Sequence, residues 1–165
     1  SHIQPVLQKN YYIDTPDFQL REKKVAMRIR TFSDWAELTL KVPQTVGNME
    51  YNQKLNLPEA ESYLEKQILP QGLVLEELAK IGILSQDWFV LGCLATIRYE
   101  METSIGLMAL DESHYFDHTD YELELEVTDH EKGKRDFQQF LSENSITYQK
   151  APSKLIRFIK SIKKC

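Results

Sequence analysis

The chain has 165 residues (19.3 kDa), is 42% hydrophobic and 27% charged, and sets 20 basic against 25 acidic side chains for a net charge of −5. That length predicts one domain, residues 1–165. The apolar content excludes disorder, six Gly and six Pro exclude a collagen-like repeat, and the nearly uncharged run Trp88–Ile97 is too short to span a bilayer. Net acidity argues against a nucleic-acid partner, and no membrane partner is expected. Two cysteines, Cys93 and Cys165, build no disulfide framework and suit the cytoplasm, and no secretory signal is visible.

In chain order, Tyr11–Ile13 is aromatic and β-branched, and Asp14-Thr15-Pro16-Asp17 closes it with turn chemistry. Val25–Phe32 and Ala36–Val42 alternate and suit a hairpin, which Pro43 ends because it cannot donate to a ladder. Gly47–Leu57 offers another strand centred on Met49–Leu55. Pro58 and two acids open a helix that runs to about Leu69, and Leu73–Ile81 follows as a second. Strands resume at Trp88–Thr103, Ile105–Glu112 and Asp120–Thr128, and helices return at Lys134–Glu143 and Pro152–Lys163. The pattern is α+β with a mainly antiparallel sheet.

Alternation puts same-parity residues on one face of a strand. Arg28 and Arg30 therefore oppose Met27 and Ile29, and Lys41 shares a face with Glu37 and Thr39. Glu50, Asn52 and Lys54 oppose Tyr51 and Leu55, while Arg98 opposes Ile97 and Tyr99. Asp111 opposes Leu110, and Glu122, Glu124 and Glu126 oppose Leu123, Leu125 and Val127. An ordinary solvated face would give the same alternation. The kind of polar residue argues otherwise, because the faces carry charges, with Arg28 and Arg30 gathered on one strand and Glu122, Glu124 and Glu126 on another. Glutamates two apart lie about 7 Å from each other and repel unless cations face them.

Divalent metals and arginines are the natural cations. Clustered carboxylates suit Mg²⁺ or Mn²⁺, and arginine forks match phosphate oxygens. A sheet closed with its polar face inward would line a cavity suited to a polyanion with metal, the reverse of a barrel for an apolar ligand.

Tyr11-Tyr12-Ile13-Asp14-Thr15, Met27-Arg28-Ile29-Arg30, Leu38-Thr39-Leu40-Lys41, Leu110-Asp111-Glu112, Glu122-Leu123-Glu124-Leu125-Glu126 and Ser153-Lys154-Leu155-Ile156-Arg157 follow one another in order. This ordered set resembles the CYTH domain of the triphosphate tunnel metalloenzymes, and is most similar to their small stand-alone bacterial branch. The resemblance implies an antiparallel eight-stranded β-barrel, a tunnel with a charged interior and flanking helices. It also implies a triphosphate substrate and Mg²⁺ or Mn²⁺. Position by position it makes Arg28, Arg30, Lys41, Arg98, Lys154 and Arg157 phosphate ligands. Glu50, Asp111 and two of Glu122, Glu124 and Glu126 would hold metal or position water, with Glu124 and Glu126 favoured, so that Glu124, Glu126 and Lys41 are the expected catalytic residues. The family opens with a Glu-x-Glu-x-Lys strand that nothing before Tyr11 matches. This first strand is expected to lie upstream of the sequence, and a barrel truly without it would bind without catalysing.

The activity so implied is hydrolysis of inorganic triphosphate, a nucleoside triphosphate or thiamine triphosphate, with adenylate cyclisation or noncatalytic polyphosphate or nucleotide binding as alternatives. A nucleic-acid-binding barrel would instead bind without metal and weaken steeply with salt. Weaker signals receive ordinary readings: His114-Tyr115-Phe116-Asp117-His118 as a loop rather than a metal site, Cys93 as a buried packing residue, and the basic last helix as one packed on the barrel with Lys154 reaching inward.

Overall fold

A computed structural model describes residues 3–162, so Ser1, His2, Lys163 (the end of the helix expected over Pro152–Lys163), Lys164 and Cys165 lie outside the described residues. The strands are β1 (Val6–Asp14), β2 (Ala26–Thr31), β3 (Ala36–Pro43), β4 (Asn48–Leu55), β5 (Phe89–Thr103), β6 (Gly106–Tyr115) and β7 (His118–Glu126). The helices are α1 (Gln19–Glu22), α2 (Leu57–Lys66), α3 (Leu73–Lys80), α4 (His130–Glu143) and α5 (Lys154–Ile162). The seven strands form one sheet in the order β4-β3-β2-β1-β5-β6-β7, with β1–β2, β2–β3, β3–β4 and β6–β7 all antiparallel. The α+β class and antiparallel sheet agree with the sequence. The sheet has seven strands rather than eight and does not close on itself among the described residues. The sequence contains no Glu-x-Glu-x-Lys segment to supply the remaining strand.

Two compact units divide the chain, residues 8–95 and residues 1–7 with 96–165. In the first, Met27, Ile29, Leu38 and Leu40 are almost fully buried on one face of β2 and β3. They share a core with Ala60 of α2 and with Val74 and Leu78 of α3. The helix α2 starts where the Asn56 side chain accepts the Glu59 amide and Glu59 returns the bond to the Asn56 amide, with Pro58 in its first turn.

In the second unit, Phe158 of α5 is 1% exposed and packs against Tyr115 and Phe116, with ring centroids 6.3 and 5.6 Å apart. The C-terminal end of β7 is closely hemmed in. A Cβ on Gly106 would stand 2.5 Å from the Glu126 carbonyl oxygen, and one on Gly133 of α4 would stand 2.5 Å from Val127 Cγ2.

Several local readings change. The strand around Tyr11–Ile13 reaches back to Val6, because cross-strand bonds such as Lys9 to Thr31 do not depend on apolar alternation. The turn after β1 contains α1, a single helical turn too short for propensity to reveal. The Asp14 carboxylate builds it by accepting the amides of Thr15, Leu20 and Arg21. His114 and His118 lie in β6 and β7, leaving only Phe116 and Asp117 between the strands. Cys93 is exposed, since it alternates with the fully buried Leu94 on β5.

Candidate active site

The unit of residues 8–95 carries one basic polar face. Register aligns Tyr12 with Arg28, Asn10 with Arg30, Arg28 with Thr39, and Thr39 with Asn52, so these residues share a face across β1 to β4. This is not an ordinary wet face. Asn10 is 0%, Thr39 2% and Arg30 8% exposed. Asn10 is a buried adapter: its Oδ1 accepts from Arg30 Nε at 2.7 Å, and its Nδ2 donates to the Leu94 carbonyl at 3.3 Å. Arg28 Nε is buried with no hydrogen-bond partner. Lys41 and Glu50 meet at 3.7 Å, both substantially exposed.

Residues 96–162 carry a different arrangement. Asp111 and Glu122 are cross-strand partners on β6 and β7, and Ala109 faces Glu124 one step along, so the acids form a row. The fully buried Asp111 accepts both Arg98 Nε and an Arg98 terminal nitrogen at 2.7 Å, and Lys154 Nζ at 2.6 Å. Lys154 also reaches Glu124 at 2.9 Å and Glu122 at 3.2 Å, while Arg98 reaches Glu124 at 3.0 Å. One helical turn along α5, Arg157 donates to Glu122 at 2.6 Å and to Asp120 at 3.1 Å. Asp120 in turn accepts the Tyr115 hydroxyl.

These contacts set the protonation states. Burial alone would raise the Asp111 pKa, but hydrogen bonds from Arg98 and Lys154 outweigh it and hold the carboxyl below its ordinary value. Burial opposes the charge on Lys154, and the surrounding Glu124, Asp111 and Glu122 carboxylates more than compensate, raising its pKa. The Arg98 pKa is raised by its hydrogen bond to Asp111 against the cost of burial. Burial, joined by the Asp120 carboxylate, pushes the Tyr115 hydroxyl up to about 12.

The structure thus brings Arg98, Asp111, Glu122, Glu124, Lys154 and Arg157 into one connected network, and Arg28, Arg30 and Lys41 onto one basic strand face. Glu50 stands beside Lys41 at the edge strand β4. Glu126 continues the acid row on the exposed end of β7, and its carboxylate has no ion pair among the described residues. Sequence reasoning missed Asn10, Asp120 and Tyr115. Alternation places Asn10 on the arginine face, but its two partners lie 20 and 84 residues away.

The chain matches the family model described as the CYTH domain over residues 1–159. It is 38% identical over 157 residues to the Putative triphosphatase YjbK of Bacillus subtilis (strain 168), covering 95% of this chain and 81% of that protein. Among solved structures it resembles one from Bacillus halodurans named a putative adenylate cyclase, with a TM-score of 0.88 and 36% identity over 93% of this chain and 82% of the other. A Hippeastrum protein, HpAC1, named a putative adenylyl cyclase that reveals a dominant triphosphatase activity, shares the fold at a TM-score of 0.85 and 23% identity, covering 97% of this chain and 84% of that one. With a family model spanning nearly the whole sequence, and a relative aligned over most of both lengths, this chain belongs to the CYTH domain family.

Proposed function

We propose that this chain is a divalent-metal-dependent triphosphatase acting on inorganic triphosphate, a nucleoside triphosphate or thiamine triphosphate. Support comes from its likeness to YjbK, and from charged side chains on strand faces withdrawn from solvent. The observation that carries the reading is the partly buried basic face, where Arg28 Nε has no hydrogen-bond partner among the described residues and Arg30 is propped by Asn10. Permanent cations held in this way suit phosphate oxygens better than any neutral ligand.

The family is one of metalloenzymes, so a divalent cation is implied. No group of three His, Cys, Asp or Glu gathers to hold a metal among the described residues. That is compatible with Mg²⁺ or Mn²⁺, because Mg²⁺ is commonly held by one or two carboxylates and takes its remaining ligands from water and phosphate. Glu126, exposed and without an ion pair among the described residues, and Glu124, with 40% of its side chain exposed, fit that donor requirement. Asp111, buried and fully engaged, serves instead to orient Arg98 and Lys154, and Glu50 balances Lys41. When bound, a divalent cation supplies charge neutralisation and acidifies a coordinated water.

The chain's own residues supply the rest. Phosphoryl transfer demands mostly positioning and charge stabilisation. Arg28, Arg30 and Lys41 neutralise phosphate oxygens from the basic face of β1 to β4, while Arg98 and Lys154 hold the acid row, Glu124 included, in place. Glu124 orients the attacking water and accepts its proton. The water oxygen bonds to the terminal phosphorus as the bond from that phosphorus to its bridging oxygen breaks, giving orthophosphate and, according to the substrate, inorganic diphosphate, a nucleoside diphosphate or thiamine diphosphate as the leaving group. A cytoplasmic location and the absence of a nucleic-acid partner go with this reading.

The test is phosphate release from inorganic triphosphate, ATP and thiamine triphosphate with Mg²⁺ or Mn²⁺. Metal-dependent release is expected from at least one of them. Metal-dependent triphosphate binding without release would make the chain a noncatalytic binding barrel, and cyclic AMP with diphosphate from ATP would make it a cyclase, as the name of the Bacillus halodurans relative suggests.

A further inference from the structure

Arg157 lies one helical turn beyond Lys154, and both side chains reach the acids of β6 and β7. Their environments differ in one respect. Lys154 Nζ sits among Asp111, Glu122 and Glu124, the acids nearest the proposed chemistry. The Arg157 guanidinium is spent on Glu122 and on Asp120, and Asp120 also holds the Tyr115 hydroxyl. Arg157 Nε is buried with no hydrogen-bond partner among the described residues, and both terminal nitrogens are turned to carboxylates. The side chain is 15% exposed and the helix is pinned beyond it by Phe158 against Tyr115 and Phe116.

We propose that Arg157 is a positioning residue that clamps α5 to β7 through Asp120 and Glu122, and thereby sets Lys154 against Glu124, rather than a ligand of the phosphate chain. The inference rests on the triphosphatase reading and assigns a role within it. A cation that already bridges two carboxylates on one strand face gains little by leaving them for phosphate. Its release would leave Glu122 beside Glu124, two residues along the same face, with Lys154 as the cation still contacting Glu122. Glu122 is therefore the counter-charge of the clamp, which leaves Glu124 and Glu126 as the acids available to the ion. Asp120 is the diagnostic residue, because its removal has opposite consequences under the two roles.

The experiment compares Arg157→Ala, Asp120→Asn and the double variant in the intact chain. Turnover of inorganic triphosphate with Mg²⁺ is one readout, and calorimetric binding of inorganic triphosphate without metal is the other. If Arg157 is a clamp, all three variants lose affinity and kcat by a similar factor of about 3 to 10, and the double variant is no worse than either single one, as coupled neighbours behave. Triphosphate affinity falls in Asp120→Asn even though an acid has been removed. A guanidinium that touched phosphate would behave otherwise: Asp120→Asn would free it and hold or tighten binding, while Arg157→Ala alone would weaken binding at least about 30-fold, the scale of a lost charge-stabilising donor. That outcome overturns the proposal, as do losses that multiply in the double variant. Should Arg157→Ala fail to fold, the sign of the Asp120→Asn change decides alone. If the unmodified chain neither binds nor hydrolyses triphosphate, the triphosphatase reading falls and this inference with it, whereas normal turnover with the wrong sign at Asp120 defeats only the clamp.

Discussion

The two charged regions solve one electrostatic problem in opposite ways. On β1 to β4, Asn10 accepts from the buried Arg30, Thr39 lies beside the half-buried Arg28 in register, and Arg28 Nε has no acceptor among the described residues. On β5 to β7 with α5, every buried cation is matched to carboxylates, and Lys154 alone contacts three. Desolvating an unmatched guanidinium costs stability, whereas a matched pair offsets that cost locally. On the proposed triphosphatase reading the first region supplies positive charge to an anion, and the second holds an acid row in place. Function should fail first in one and folding first in the other.

The largest effect expected is on activity. Arg28→Ala should lower kcat/KM for the preferred triphosphate by about 10² to 10³-fold, the scale of one lost charge-stabilising donor. Its midpoint in chemical denaturation should barely fall, since no ion pair is broken. Retained turnover in this variant would remove the basic face from the site.

Arg98→Ala should invert that pattern by leaving Asp111 buried with only Lys154. Its unfolding free energy is expected to fall by about 3–5 kcal/mol, the penalty typical of a broken buried pair. Denaturation followed by circular dichroism measures it, and an unchanged midpoint would mean that the bidentate contact contributes nothing to folding.

Acid should act on the same region. Asp111 has a depressed pKa in the folded protein, so the stability it confers is present above the unfolded carboxyl value of about 4 and is lost as pH falls through the folded value. Metal-free Asp111→Asn should therefore be less stable than the parent at neutral pH and lose less on acidification below about pH 4. Parallel stability curves for the two proteins would contradict the assignment.

At the small end, Glu50→Gln should change stability by less than about 1 kcal/mol, since its 3.7 Å contact with Lys41 is exposed to solvent. A larger loss would mean that the edge strand depends on this pair.

Alternation made most of this legible. It separated Met27 and Ile29 from Arg28 and Arg30, and Leu123 and Leu125 from the glutamates, because a strand face is a local property. It could not anticipate that Asn10, Arg30 and Thr39 on the polar face of β1 to β3 are themselves withdrawn from solvent, because burial depends on residues distant in sequence. Contacts across long separations were equally hidden. Asn10 looks like any strand asparagine until Arg30 and Leu94 meet it, and Asp120 looks like a strand-opening residue until Arg157, 37 positions later, returns to it. Cys93 was misjudged because an apolar stretch hides which parity faces inward. The acid row raised three candidates of equal parity, and only the positions of Lys154 and Arg157 distinguish Glu122 from Glu124 and Glu126.

Gly106 and Gly133 leave no room for a methyl group where β7 ends, although neither carries any chemistry. Gly106 also holds φ at 141°, which strains any other residue. In a mutational library scored for turnover, both positions would look as intolerant as the charged residues, and a reader of that map would count them as catalytic. Heat would tell them apart: an alanine at either glycine should lower the melting temperature along with the rate, because it displaces the strand end that carries Glu126, whereas loss of Arg28 should leave the melting curve where it was.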